Sequence, residues 1–281
     1  MIESKHIARM SFWMGISFGR NFGKNRTLFT VHFQKTLSLK KDLKLVRSLS
    51  QKKFRQETGL FVVEGRKMVE EALASSYVLH SLYSTDAEFC VKNTTAEQIN
   101  GREMEQISAL SSPSSHLAVL HQRKEAWPIP SDCNVILALD GVSDPGNMGT
   151  LIRTAEWFGI EHVLLSAQCV EIYNPKVIQS TMGSIFRIKA QTINWIEELK
   201  ALKAKGFKVL ASDLAGENLF EHSFSPKNIL VVGSESHGIS ADTEKLMDAS
   251  IHIPGAGKAE SLNAGVAGAI MMSTWFGNQP R

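Results

Sequence analysis

Runs of apolar residues alternate with amphipathic stretches along most of this chain, and the alternation changes character near residue 121. Before that point, Leu39 to Ser50 has helical spacing (Leu43, Val46, Leu49) and Arg66 to Ala74 reads as a second helix. Leu60 to Val63, Val78 to Tyr83 and Leu117 to Leu120 read as strands. These segments predict a small α/β domain over residues 39–121. A charge cluster, Gln122-Arg123-Lys124-Glu125, then leads into Trp127-Pro128-Ile129-Pro130, and the two prolines mark residues 122–132 as a linker. From residue 133 to 281, short apolar strands and helical patterns take turns. The strands are Val135–Leu139, His162–Leu165, Lys208–Ala211, Ile229–Val232 and Ser250–Ile253. The helices are Thr150–Phe158, Lys176–Met182, Ile193–Lys205, Asp242–Met247 and Leu262–Thr274. Continuous apolar strands separated by helices predict a parallel sheet covered on both faces.

A chain of 281 residues accommodates these two domains. Its formal net charge of +3 does not by itself imply a polyanionic partner, but the charge is unevenly placed. Between Lys35 and Arg55 stand eight Lys or Arg against a single acid, Asp42, a density that suits phosphate tracking as well as a solvated helix face. Cys90, Cys133 and Cys169 are odd in number, widely spaced and without a CxxC pair, which favours a reducing compartment and argues against a disulfide framework or a zinc site. No apolar run approaches the roughly 18 residues of a membrane span. Residues 1–38 are basic, with Glu3 their only acid, and lack clear caps or period; a disordered or leader-like extension is expected there. The expected location is cytoplasmic, or mitochondrial if residues 1–38 serve as a leader.

Candidate chemistry concentrates in three stretches that each follow a strand. Asp144-Pro145-Gly146-Asn147-Met148-Gly149 precedes a helix carrying Arg153. Backbone N–H groups at Asn147, Met148 and Gly149 would face a negative group there, and Arg153 could turn its planar fork toward a phosphate on the same side. The plainer reading is a cap at Asn147 and a surface ion pair at Arg153. Gly233-Ser234-Glu235-Ser236-His237-Gly238 follows the strand Ile229–Val232; glycine lets the backbone approach a ligand, and Glu235 could bind a hydroxyl or simply complement a helix dipole. Ile253-Pro254 with Ser261-Leu262-Asn263 is the third, where Ser261 is an N-cap by type. Loops at the carboxyl ends of parallel strands are where open α/β sheets bind ligands, so the three point to one composite site.

Several familiar chemistries are excluded. Gly255-Ala256-Gly257-Lys258 continues with Ala259 and lacks the earlier glycine of a phosphate-binding P-loop. No GxGxxG fingerprint follows a strand, Ser234 does not sit in a GxSxG elbow, and His222, His237 and His252 lack metal-ligand spacing, so no metal is expected.

Taken together, Leu139-Asp140-Gly141-Val142 through Asp144-Pro145-Gly146-Asn147 to Ile152-Arg153-Thr154-Ala155, Val231-Val232-Gly233-Ser234-Glu235 with Gly238, and Ile253-Pro254 with Ser261-Leu262-Asn263 resemble the three signature motifs of the SpoU (TrmH) family of RNA ribose 2′-O-methyltransferases. The first half resembles the family's accessory substrate-binding domain through Lys53, Arg55, Phe61-Val62-Val63-Glu64-Gly65 and Val69. The resemblance implies a SPOUT-type parallel sheet whose C-terminal segment forms a trefoil knot, preceded by the small α/β substrate-binding domain. It implies S-adenosylmethionine as methyl donor, an RNA substrate, and a homodimer with the site near the subunit interface. Cofactor-holding positions map to Gly233, Ile253 and Leu262, with Pro254 and Gly238 beside them in the same motifs. Catalytic or RNA-orienting positions map to Asn147, Arg153, Glu235, Ser261 and Asn263. Phosphate contacts are expected from Lys52, Lys53 and Arg55, with Lys40 and Lys41. The chain departs from the pattern where Ala264-Gly265 replaces the common Val-Ser, and where Ser236-His237 replaces a Gly-containing step. Ribosomal RNA is the preferred target; transfer RNA, a non-catalytic RNA-binding dimer, and an oxidoreductase or small-molecule methyltransferase are the alternatives.

Overall fold

The computed structural model describes residues 39–279. The expected disordered or leader-like segment, residues 1–38, lies outside them. The chain divides into two units between Leu45 and Val46. Within the first unit the described residues are helical; the helix runs over residues 39–48 (α1), and Lys40 and Lys41 are exposed on it.

The second unit contains both sheets. Its first part comprises α2 (Lys52–Thr58), β1 (Leu60–Glu64), α3 (Arg66–Ala74), β2 (Leu79–Ser84), α4 (Ala87–Lys92), β3 (Ala96–Gln98), α5 (Gly101–Ile107) and β4 (His116–His121). The sheet order is β1-β4-β2-β3, with β4 antiparallel to both of its neighbours and β3 parallel to β2. All five residues of β1 are buried, and α3 turns Met68, Val69 and Ala72 toward the core. The sequence pattern omits α4, β3 and α5, which are short. Asp86 caps α4, and Asn100 with Glu103 forms a reciprocal capping box at α5.

The larger sheet is built from β5 (Val135–Asp140), β6 (His162–Leu165), β7 (Lys189–Thr192), β8 (Lys208–Asn218), β9 (Asn228–Gly233) and β10 (Ala249–His252). Its order is β10-β8-β9-β5-β6-β7, and every pairing is parallel. The helices α6 (Pro145–Trp157), α7 (Pro175–Thr181), α8 (Trp195–Ala204), α9 (Ala241–Glu244) and α10 (Ala264–Gly277) connect or follow these strands. Helix α6 begins at Pro145, earlier than the expected Thr150, because Asp144 caps it and proline is preorganised for the first helical position. Strand β7 is half-exposed at the sheet edge, which hides its pattern. The linker is tied to that strand: the Gln191 side-chain amide donates to the Trp127 carbonyl at 3.1 Å and accepts from the Trp127 N–H at 2.6 Å.

Helix α10 lies against both α6 and β9, and small residues set the distance. A methyl group on Gly268 would sit 2.2 Å from Leu151 Cδ2 and 3.1 Å from Val232 Cγ2. Farther along, the rings of Phe158 and Phe276 are 5.4 Å apart, so α6 and α10 run side by side in the same direction.

Polar and aromatic contacts join the two sheets within this unit. The Phe61 and Tyr173 rings lie 4.6 Å apart, and Arg187 bonds Glu71 at 2.7 Å while also pairing with Glu156. The hydrogen bond from Arg187 holds the Glu156 carboxyl below its ordinary range. Arg55 corrects an expectation. It is 2% exposed, its guanidinium gripping Glu171 at 2.6 and 3.2 Å and donating to the Leu49 and Ser50 carbonyls at 2.8 and 2.9 Å. With its donors turned inward, it is not available to an RNA phosphate; the basic spacing around it did not reveal which cation would be buried. Arg55→Ala would strand the Glu171 carboxylate and is expected to lower the unfolding free energy by about 3 kcal/mol in urea titration; a change within about 0.5 kcal/mol would mean the pair is not structural.

Candidate active site

Because the large sheet is parallel, the carboxyl ends of its strands lie on one edge, and the central pair β5 and β9 end level with each other, Asp140 opposite Gly233. The loop after β9 is narrow: Ser234 and Gly238 exchange two backbone hydrogen bonds of 2.9 Å. A side chain on Gly233 would meet the Gly238 backbone at 2.5 Å, so the tight return of the chain requires glycine there. Glu235 stands at the tip, exposed.

Asp144 Oδ1 accepts from the Asn147 N–H at 2.7 Å, and the Met148 N–H is taken by the Asp144 carbonyl at 3.1 Å. The expectation that these N–H groups await an anion, and the alternative that Asn147 caps the helix, are therefore both corrected. Asn147 instead uses its side chain: Nδ2 donates to Glu235 Oε1 at 2.6 Å. Asn263, and not Ser261, caps α10, its Oδ1 accepting from the Gly265 and Val266 N–H groups at 3.0 and 3.3 Å. A methyl on Gly265 would lie 3.1 Å from Asn263 Oδ1 and 3.3 Å from Asn147 Oδ1. Asn147 thus stands between Glu235 and the start of α10, and all three motifs meet. The same crowding gives a physical reason for glycine at 265, where the family pattern commonly has a serine. Ser261 is exposed in the preceding loop.

Arg153 is not beside Asn147. At about 100° per residue the two lie about 120° apart around α6, so they do not share a side. Arg153 is exposed, and its helix neighbour Glu156 is engaged by Arg187. Trp157, one turn on from Arg153, is 83% exposed on the same flank.

The loop from Pro254 to Asn263 is exposed throughout, and Leu262 presents an apolar side chain that is 48% exposed. Among the described residues, no backbone N–H from Gly255 to Leu262 donates to a protein acceptor. Free donors beside an uncovered apolar surface suit a ligand that combines a flat heterocycle with polar edges. No cluster of His, Cys, Asp and Glu fit to hold a metal occurs among the described residues.

Sequence reasoning missed the anchor of the Glu235 loop. Asp140 is buried at the end of β5, and its Oδ2 accepts from the Ser240 N–H at 2.9 Å and the Thr243 hydroxyl at 2.7 Å. Trp195 Nε1–H in turn donates to Thr243 Oγ1 at 2.8 Å. An acid closing an otherwise apolar strand was the available signal.

Comparison with known proteins agrees with this geometry. Residues 134–273 match the model of the SpoU rRNA methylase family, and residues 40–124 match the MRM3-like substrate binding domain. The 23S rRNA (guanosine(2553)-2′-O)-methyltransferase RlmP of Bacillus subtilis is 33% identical over 231 residues, covering 80% of this chain and 92% of that protein. A putative RNA methyltransferase of the TrmH family from Porphyromonas gingivalis superposes with a TM-score of 0.76 at 34% identity, covering 83% of this chain and 96% of its own. An AdoMet-bound rRNA methyltransferase from Sinorhizobium meliloti superposes with a TM-score of 0.76 at 30% identity, over 83% and 92% of the two chains. The chain belongs to the SpoU rRNA methylase family.

Asp140→Ala would leave the Ser240 N–H and Thr243 hydroxyl without their shared charged acceptor. A loss of about 3 kcal/mol in unfolding free energy is expected from chemical denaturation, whereas an unchanged midpoint would show that the loop does not depend on this anchor.

Proposed function

We infer that this protein is an S-adenosylmethionine-dependent methyltransferase acting on a ribose 2′-hydroxyl of ribosomal RNA. The observation that carries this reading is the 2.6 Å hydrogen bond between Asn147 and Glu235, which joins two distant motifs beside the Asn263 cap of a third. Gly238, with open space where a side chain would stand, would let the cofactor approach the β9 loop beside the Gly233 backbone, and the backbone at Ile253, Pro254 and Leu262 would hold its heterocycle. When bound there, S-adenosylmethionine supplies an electrophilic methyl group on a sulfonium sulfur. Asn147 holds the Glu235 carboxylate in place, and its second oxygen is left to orient the ribose. Ser261 and the free amide of Asn263 would position the RNA from the other side. Holding both partners aligned can contribute about 7–11 kcal/mol to catalysis.

Two roles are open to Arg153. As a general base it would have to give up a proton from a guanidinium, a group that stays protonated in proteins. As a fixed cation it would clamp the phosphate next to the reacting ribose, which costs no such discharge and is the role we favour. Its position on α6 supports a dimeric site. Trp157, Val266 and Phe276 are 83, 48 and 51% exposed on the adjoining helices α6 and α10, an apolar surface that a second copy would cover. Pairing through this flank would carry Arg153 of one protomer toward the reaction centre of the other. The strand order supports the trefoil knot: β8 lies between β9 and β10, so the chain leaving β9 passes beyond β8 to reach β10 before α10 returns to α6.

RNA phosphates would be contacted by exposed Lys52 and Lys53 on α2, and by Lys40 and Lys41 on α1. Arg47 and Arg102 line a cleft of about 600 Å³ in the small domain and add to these candidates.

The direct test is transfer of labelled methyl from S-adenosylmethionine to ribosomal RNA, with the product mapped as a 2′-O-methyl nucleotide. Binding of RNA without transfer would leave a non-catalytic dimer, and label confined to transfer RNA would change the substrate. Arg153→Ala should abolish transfer while sparing cofactor affinity and moving stability by no more than about 0.5 kcal/mol. Arg153→Lys should remain strongly impaired if the planar fork clamps a phosphate; near-normal turnover of either variant would remove Arg153 from the mechanism. RNA affinity should fall as salt rises, and Lys52→Ala and Lys53→Ala should each reduce the slope of log affinity against log salt by about 1; an unaltered slope would place the phosphates elsewhere.

A further inference from the structure

A second concavity opens beside Glu235. It measures about 660 Å³ and lies across the carboxyl ends of β5, β6, β7 and β9, with Gln168, Ile193, Asn194, Trp195, Ser236 and His237 among its walls. That volume is within the range of small-molecule sites. The sheet order places it on the β5–β7 side of the Glu235 loop, whereas the 253–263 segment follows β10 on the opposite side. The residues flanking Glu235 in sequence, Ser234 and Ser236, both line it.

The lining chemistry selects among the parts of an RNA strand. No Lys or Arg is among the residues lining the cleft, whereas Asp140 and Asp242 are, the latter paired with Lys245 at 3.3 Å, so the lining offers a phosphate no cation of its own. What it offers is apolar surface with neutral hydrogen-bonding groups. The Trp195 indole N–H is committed to Thr243 at 2.8 Å, which fixes the ring. Asn194 spends its NH₂ on Glu197 Oε2 at 2.6 Å and keeps its carbonyl as an acceptor. His237 Nδ1 meets Ser236 Oγ at 2.8 Å, leaving Nε2 for another partner, and Gln168 is exposed at the mouth. Flat apolar walls with amide and imidazole groups are what an unstacked base requires, since such bases are recognised in RNA by stacking and by contacts along their edges.

We propose that this cleft receives the nucleobase of the nucleotide whose ribose is methylated, with Trp195 and Ile193 against its face and Gln168, Asn194 and His237 along its edge. The proposal rests on the 2′-O-methyltransferase reading and deepens it: the loop that bears Glu235 would serve the sugar on its tip and the base on its flank. Base identity would then be read within the catalytic domain, separately from the basic surface that binds the backbone.

Ribosomal RNA substituted with 4-thiouridine or 6-thioguanosine, irradiated on the full-length protein and mapped by mass spectrometry, tests this directly. Cross-links on the peptides holding Gln168 or Trp195 are expected; cross-links found only in the small domain, with RNA that the same protein methylates, would overturn the proposal. Gln168→Ala should raise the KM for RNA about 3- to 10-fold while leaving S-adenosylmethionine affinity and the melting temperature unchanged. Trp195→Leu should weaken RNA more strongly through lost stacking, and Gln168 carries the test alone if that variant melts early. Gln168→Arg distinguishes a phosphate: tighter binding of RNA by this variant, with Gln168→Ala unchanged, would mean that backbone rather than base enters. If wild-type protein transfers no methyl to any RNA, the enzymatic reading fails instead, and the absence of transfer identifies that failure separately.

Discussion

The nearness of α10 to α6 and β9 is the constraint from which the site follows. A glycine at 268 lets the helix press against Leu151 and Val232, where even a methyl would collide. That packing brings the start of α10, capped by Asn263, up to Asn147 on α6, and Asn147 in turn secures Glu235. Parallel register completes the arrangement, since β5 and β9 end at the same level and their loops emerge together. The side chains of Asn147, Glu235 and Asn263 are held by few bonds of their own. Their placement is inherited from the buried seam of α10 with α6 and β9, so the geometry of the site and the packing of the core are two descriptions of one contact.

The union of the two sheets follows a different logic. There the structure pairs charge, burying Arg55 against a carboxylate and two carbonyls and sharing the exposed Arg187 between Glu71 and Glu156. Such pairs contribute little net stability against well-packed apolar groups, but they tolerate only one mutual placement of their partners. An enzyme that must present a ribose to a methyl donor gains from that definition, because a flexible tether between RNA-binding surface and reaction centre would lose the alignment on which transfer depends.

Much of this organisation was legible in the sequence. The apolar strands Val135–Leu139, His162–Leu165 and Ile229–Val232 announced a parallel sheet because their burial is continuous, and burial is what periodicity reports. Strand β7 escaped notice because an edge strand with half-exposed residues has no such signature. Helix α5 escaped because it is short, although Asn100 and Glu103 carried the capping-box spacing. At the site, residue types were readable but directions were not. Arg153 and Asn147 share a motif yet point to different sides of α6, and Arg55 looked like a phosphate ligand until its partner, far away in sequence, became visible. Glycine at 265 read as a departure from the family pattern and sits in a crowded corner, where an added methyl would press on the side-chain oxygens of Asn147 and Asn263.

The contact between the linker and β7 has a consequence for the molecule in solution. An open strand at the end of a parallel sheet is a template on which another chain can lengthen the sheet. Here the Gln191 amide occupies the backbone of Trp127, and the prolines at 128 and 130 prevent that segment from continuing as a new strand. The connector between the halves thereby sets beside that border a segment that cannot itself extend the sheet. A generic glycine–serine tether of equal reach would join the two parts but leave that border without a proline-bearing neighbour.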